Sequence, residues 1–326
     1  MPELTLIEAV NRALVHEMAA DPSVVVLGED VGVNGGVFRA TAGLAQRFGA
    51  ERVLDTPLSE TLIAGMAIGM AAEGLRPVAE IQFMGFIYPA LDQLLNHATR
   101  LRNRTRGRLT CPLVLRTPHG GGIHAPEHHS ESTEALFTHI PGLRVLIPSS
   151  PARAYGLLLA AIRDPDPVLF LEPTRLYRMV REVVEDDGSA LPLDTCFVLR
   201  EGPDVTLVSW GAMLHETLAA ADALSEHGIG CEVIDVATLK PLDIDTILGS
   251  VMKTGRLVII HEAGRSGGLG AEIAAQIGER GLLSLQAPIE RVTGYDTIMP
   301  LYRLEKAYLP DVARIAAAVK KTLEFQ

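Results

Sequence analysis

The chain has 326 residues, of which 48% are hydrophobic and 21% charged, with a formal net charge of −11. This composition is that of an ordinary globular protein, long enough for two domains with a core each. The acidic balance argues against nucleic acid or an anionic membrane as a general partner, although Arg100, Arg102, Arg104, Arg106 and Arg108 form a local basic patch. Cys111, Cys196 and Cys231 are far apart, so neither a disulfide scaffold nor a cysteine zinc site is expected, and a reducing compartment fits. No signal peptide is visible at the N-terminus. The least charged run, Thr61 to Ala72, is too short to span a bilayer, which takes about 20 residues.

Thr5-Leu6-Ile7-Glu8 reads as a capping box, and Ile7, Val10, Leu14 and Met18 have helical spacing. Asp21-Pro22 ends that helix. Val24–Leu27 reads as a buried parallel strand. It empties into Gly28-Glu29-Asp30-Val31-Gly32 and a glycine-rich loop. Ligands bind at the carboxyl ends of such strands, which draws attention to Glu29, although a loop acid is commonly just solvated.

Leu54-Asp55-Thr56-Pro57-Leu58-Ser59-Glu60 then joins a short strand to a helix that is apolar all round, Leu62 to Ala72. Glu60 falls in its first turn, where a carboxylate complements the helix dipole. A helix with no polar face is expected to be buried on every side. Glu60 is therefore either a dipole partner or an acid carried into a poorly solvated place, where it can hold a proton.

Strands are expected at Arg76–Phe83, Leu113–Arg116, Val145–Pro148 and Val168–Leu171, with helices from about Tyr88 to Arg102 and Ala152 to Ile162. This alternation predicts an α/β fold with a largely parallel sheet covered on both faces. Residues 181–199 collect acidic, Gly and Pro residues and read as a linker. They separate a domain over 1–180 from a smaller α/β domain over 200–326. Strands at Val205–Trp210, Cys231–Val236 and Leu257–His261 are expected in the second. Its helices fall near Leu214–His227, Ile244–Lys253, Ala271–Arg280 and Val312–Leu323.

Five histidines lie between His119 and His139, in a segment rich in Gly and Pro. It lacks a helical His pair and a matched acid, so a substrate loop with one histidine in acid–base work is favoured over a metal site. Gly264-Arg265-Ser266-Gly267-Gly268-Leu269-Gly270 stands between a strand and a helix. It reads as a possible phosphate cradle or as a tight turn.

Taken together, Gly28–Gly32, Asp55–Glu60, Glu80-Ile81-Gln82-Phe83, the Gly120–Ser130 loop and Val292–Thr297 resemble the β subunit of the thiamine-diphosphate-dependent E1 component of 2-oxo acid dehydrogenase complexes. The likeness covers essentially the whole chain and is strongest to the bacterial pyruvate enzymes. It implies a pyrimidine-binding (transketolase-like) domain followed by a transketolase C-terminal-type domain. It also implies that Glu60 hydrogen-bonds N1′ of the cofactor's aminopyrimidine, that Phe86 stacks on that ring, and that Leu58, Gln82 and Glu29 complete the pocket. His129 matches the histidine that assists acyl transfer, with His128 as its neighbour. Leu113, Ala161, Ile162, Asp164 and Asp166 match a monovalent cation (K⁺) site, although Asp-Pro turns explain the last two equally well.

The chain has no Gly-Asp-Gly segment, so the resemblance implies that Mg²⁺ and the diphosphate are held by an α subunit in an α2β2 assembly. It further implies a β–β contact and docking of the E2 peripheral-subunit-binding domain. The expected activity is oxidative decarboxylation of pyruvate with acyl transfer to lipoyl E2. A branched-chain 2-oxo acid enzyme and a non-catalytic scaffold that docks E2 are the alternatives, and a transketolase-like single-chain enzyme is opposed by the missing motif. No nucleic acid or membrane partner is expected, and the setting is bacterial cytoplasm or a mature organellar form.

Overall fold

The structure is a computed structural model and describes residues 3–325. The chain divides into two compact units. The first holds residues up to 119 and 136–193, and the second holds 120–135 and 194 onward.

In the first unit, β1 (Glu3–Leu4) leads into α1 (Leu6–Ala20). The capping box is present: the Thr5 N–H donates to Glu8 Oε2 at 2.8 Å, and the Glu8 N–H donates to Thr5 Oγ1 at 3.4 Å. Then follow β2 (Val24–Gly28), α2 (Leu44–Phe48), β3 (Val53–Asp55), α3 (Glu60–Ala72), β4 (Arg76–Glu80), α4 (Tyr88–Asn96), α5 (Leu101–Arg104) and β5 (Val114–His119). After the excursion of residues 120–135, α6 (Glu134–Thr138) returns the chain. It continues through β6 (Arg144–Leu146), α7 (Pro151–Arg163), β7 (Val168–Pro173) and β8 (Glu182–Val183).

The strands of the main sheet run in the order β6-β7-β5-β4-β2-β3, every pair parallel. The inner strands β2, β4, β5 and β7 are buried almost throughout, as a doubly covered sheet requires. The register aligns Gly28 with both Asp55 and Glu80. The loops leaving β2, β3 and β4 therefore emerge side by side at one edge.

The single helix expected over Tyr88–Arg102 is broken. His97 leaves helical geometry at φ −122°, and a short 3₁₀ turn separates α4 from α5. The stretch 181–199 holds β8, paired antiparallel with β1, and the start of β9 (Phe197–Arg200).

The second unit continues with β10 (Val205–Ser209), α8 (Met213–Ser225), β11 (Cys231–Asp235), β12 (Thr238–Lys240), α9 (Ile244–Thr254), β13 (Leu257–His261) and α10 (Leu269–Gly281). It closes with β14 (Glu290–Thr293), α11 (Tyr302–Tyr308) and α12 (Val312–Leu323). Its five-stranded sheet has the order β14-β13-β10-β11-β9 and is parallel except for β9 at the edge. The core gathers β10, β11 and β13 against α8 and α12 through Leu207, Val233, Val258, Ile260, Leu224, Ile315 and Val319.

Candidate active site

The loops at the carboxyl ends of β2, β3 and β4 carry the first cluster. Glu29 follows β2 directly and lies within electrostatic reach of Glu60. Its carboxyl is raised above the usual carboxylate range, by burial first and then by the like charges of Asp30 and Glu60. Glu60 opens α3 behind the N-cap Ser59, whose hydroxyl accepts the Leu62 N–H, and Glu60 itself is half-buried. The start of α3 is tied to the start of α4 by the Thr61 hydroxyl donating to Pro89 O at 3.0 Å. This fixes α3 beside the 3₁₀ turn Met84–Phe86.

Gln82 and Phe86 follow β4 and are half-buried, whereas Leu58 is 73% exposed. Asp55 holds the β2 loop by accepting from the N–H groups of Gly32 (2.6 Å) and Val33 (3.2 Å). The hydroxyl of Thr56 is buried there without a hydrogen-bond partner. An unpartnered hydroxyl at Thr56, near a Glu29 carboxyl raised by burial and with half-buried Gln82 and Phe86, fits a polar aromatic ring better than a sealed core.

The all-round burial expected for α3 is corrected by the structure. Ile63, Ala64, Ala67, Ile68 and Ala71 are buried, but Leu62 is 40% exposed and Gly69 lies open. The helix buries one face on its own unit and leaves an apolar face free.

Beneath the loops sits an ion network that the sequence did not suggest. Arg116, fully buried on β5, donates from Nε and Nη2 to Glu172 at 2.6 and 2.7 Å and from Nη1 to Glu80. Tyr177 donates its hydroxyl to Glu172 at 2.6 Å. Burial raises the Glu80 carboxyl against the pull of Arg116. Tyr177 also packs on Phe38 at 4.9 Å, Phe38 on Phe83 at 5.4 Å, and Phe83 on Phe86 at 5.8 Å. The only signal in the sequence was Glu80, Arg116 and Glu172, each within or at the end of a largely apolar strand.

Leu113, Ala161, Ile162, Asp164 and Asp166 surround the turn between α7 and β7. Their groups are already engaged. Leu113 O accepts the Val168 N–H, and Arg76 Nη1 donates to Ile162 O at 2.8 Å and to Asp164 O at 3.3 Å. The Asp164 carboxylate takes Arg144, and Asp166 takes Arg102. Three guanidinium groups thus meet the carbonyls and carboxylates at this turn.

Residues 120–135, with His124, His128 and His129, belong to the second unit, and Glu262 and Glu305 organise this stretch. Glu262 accepts the Gly121 N–H at 3.1 Å and the Ser132 hydroxyl. Glu305 accepts the N–H groups of Gly122 at 2.7 Å and His124 at 3.3 Å. Gly120 has φ +83°, and a Cβ there would stand 2.0 Å from Glu262 Oε1. Glycine at 120 is thus required by the carboxylate packed against it, and Gly121 by the methyl end of Met299. His129 closes the 3₁₀ turn Glu127–His129 and is half-buried, while His128 is exposed. Glu262 follows β13 directly and was legible as an acid at a strand's carboxyl end. Glu305, on α11, gave no such signal.

The glycine-rich segment 264–270 is not a free phosphate cradle. Asp296 fills it, accepting from the Ser266 N–H at 2.8 Å and hydroxyl at 2.7 Å. Gly268 and Gly270 make room for the buried ring of His261.

The chain matches the family description "Transketolase, pyrimidine binding domain" over residues 2–180 and "Transketolase, C-terminal domain" over 194–315. Pyruvate dehydrogenase E1 component subunit beta of Bacillus subtilis (strain 168) is 48% identical over 325 residues, covering 100% of each chain. The chain belongs to this family of E1 β subunits. The protein of the same name from Acholeplasma laidlawii is 49% identical over 321 residues, covering 98% of each chain. Among solved structures, a split gene transketolase described as an inactive beta4 tetramer superposes with a TM-score of 0.82 at 26% identity, covering 99% of each chain. The E1 β family is transketolase-like, and the sheets described above carry that fold.

Proposed function

We propose that this chain is the β half of a pyruvate-decarboxylating E1, using thiamine diphosphate and passing the acetyl group to a lipoyl group on E2. The observation that carries the reading is the Glu29–Glu60 pair at the carboxyl edge of the first sheet, in a chain of the E1 β family. Thiamine diphosphate, when bound, supplies a nucleophilic thiazolium carbon and an electron sink.

The residues of this chain do the rest. Glu60 exchanges a proton with N1′ of the aminopyrimidine. Glu29, disfavoured as a second anion beside it, keeps the pair able to hold a proton. Phe86 packs on the ring, held from behind by Phe83, and Gln82 and Leu58 line the pocket. His129 serves as proton donor at acyl transfer.

The chain lacks Gly-Asp-Gly, which supports an α chain as the holder of Mg²⁺ and the diphosphate in α2β2. The open face of α3 and exposed Leu58 are surfaces that such a partner covers. A β–β contact and E2 docking on the C-terminal domain complete the assembly. The K⁺ site expected at Leu113, Ala161, Ile162, Asp164 and Asp166 would share the Ile162 and Asp164 carbonyls with Arg76.

Turnover by the reconstituted complex tests the substrate. Pyruvate is expected to be preferred over 3-methyl-2-oxobutanoate, and strong preference for the branched acid would overturn that choice.

A further inference from the structure

A second cleft in the first unit, of about 510 Å³, lies between α1, the segment Phe38–Ala42 and the chain following β7. Four arginines line it, Arg12, Arg39, Arg178 and Arg181, against one carboxylate, Glu8. That is a net surplus of positive charge in a chain whose formal net charge is −11.

Two of the four are neutralised. Arg181 pairs with Glu8 at 3.2 Å, and Arg12 with Asp186 at 3.5 Å. Glu8 also accepts the N–H and hydroxyl of Thr5, both on the oxygen that faces Arg181. Arg39 and Arg178 have no carboxylate at ion-pair distance among the described residues. Backbone carbonyls hold them instead: Arg39 donates to Asn34 O, and Arg178 to Phe38 O at 3.1 Å. A carbonyl orients a guanidinium without cancelling its charge and leaves most of its donors unused. Arg39 also stands at φ +72°, a left-handed conformation that a non-glycine residue adopts at a cost and that recurs at ligand sites.

We propose that this cleft is a binding site for a small phosphate-bearing anion, with Arg39 and Arg178 as its principal ligands. Guanidinium forks suit the paired oxygens of a phosphate. The volume lies in the range of small-molecule sites. Leu4, Ile7 and Phe38 give the floor an apolar part, so a phosphate ester or phosphoanhydride with a short apolar stem suits it better than bare phosphate. The site is distinct from the Glu60 cluster and does not depend on the proposed reaction.

Inorganic pyrophosphate is the probe. Titrated calorimetrically into the full chain, it is expected to bind with one-to-one stoichiometry and to weaken as salt is raised. Binding is expected to fall at least tenfold in R39Q/R178Q, with melting unchanged. Hydrogen exchange on the wild-type chain gives a second readout: pyrophosphate is expected to protect amides of residues 34–42 and the first turn of α1. Absence of saturable binding, equal binding by the variant, or protection confined to other segments would overturn the proposal. So would loss of the R39Q/R178Q-sensitive binding on assembly with the α chain, which would make the cleft a seat for an acidic segment of that partner.

Discussion

Arg116 shows what a single buried charge commits the fold to. Its guanidinium is sealed between Glu80 and Glu172. Truncating it leaves two carboxylates in a space closed to water. Arg116→Met is expected to cost roughly 3–5 kcal/mol, read from urea unfolding of the full chain. A change below about 1 kcal/mol would mean that water or protonation relieves the site. His261 carries a second prediction. Its ring is buried and stacked on Trp210 at 5.1 Å. Burial, aided by Arg291 and Arg265 and opposed by Glu134, lowers it from an ordinary 6.5 to about 4. The folded chain therefore keeps the ring neutral where the unfolded chain protonates it. Stability from this residue is complete above pH 6.5 and lost as pH falls toward 4, by about 3 kcal/mol at most. His261→Gln is expected to flatten that limb, measured as the wild-type minus variant difference between pH 7 and pH 4.5. A difference that does not vary with pH would refute the assignment. Glu60 could be found in the sequence because a lone acid opened an apolar helix. Arg116, Glu262 and Glu305 could not be assigned roles, because a buried charge is recognisable only by the partner that the fold brings to it.

The helix α3 illustrates how far an element can be read alone. Its composition announced burial correctly for five residues and wrongly for its outer face. Hydrophobicity measures how much surface must be covered but does not say by which chain. Gly69 tests the idea that a partner does the covering. A Cβ there meets nothing within 4 Å, so Gly69→Leu fits the isolated chain, where it also raises helix propensity. Melting is expected to be unchanged or slightly higher. Association with the α subunit, followed by light scattering, is expected to weaken at least tenfold. Normal assembly by this variant would remove α3 from the interface. Strands were easier to read, because β2, β7 and β13 are dominated by apolar residues, and β10 and β11 keep a majority of them. Edge elements were missed: β1, β8, β9 and β14 are short or half-exposed, so their composition does not separate them from loop.

At the scale of the whole molecule, one chain supplies two transketolase-like units, and under the proposed function it carries the pyrimidine half of a shared site. Alternation of strand and helix was enough to predict both units, whereas the path of residues 120–135 into the second was not visible locally. That excursion is fixed by Glu262 and Glu305, from positions more than a hundred residues away. Under the proposed function Glu60 is the acid that works on the cofactor, and the chain is more than a scaffold. The decisive measurement is pyruvate decarboxylation by Glu60→Gln assembled with its α subunit, beside wild type prepared identically. Assembly is expected to be retained and turnover to fall by about 10²–10⁴, the scale of a lost acid–base group. Wild-type turnover by the assembled variant would contradict the catalytic role of Glu60 and leave the scaffold reading standing.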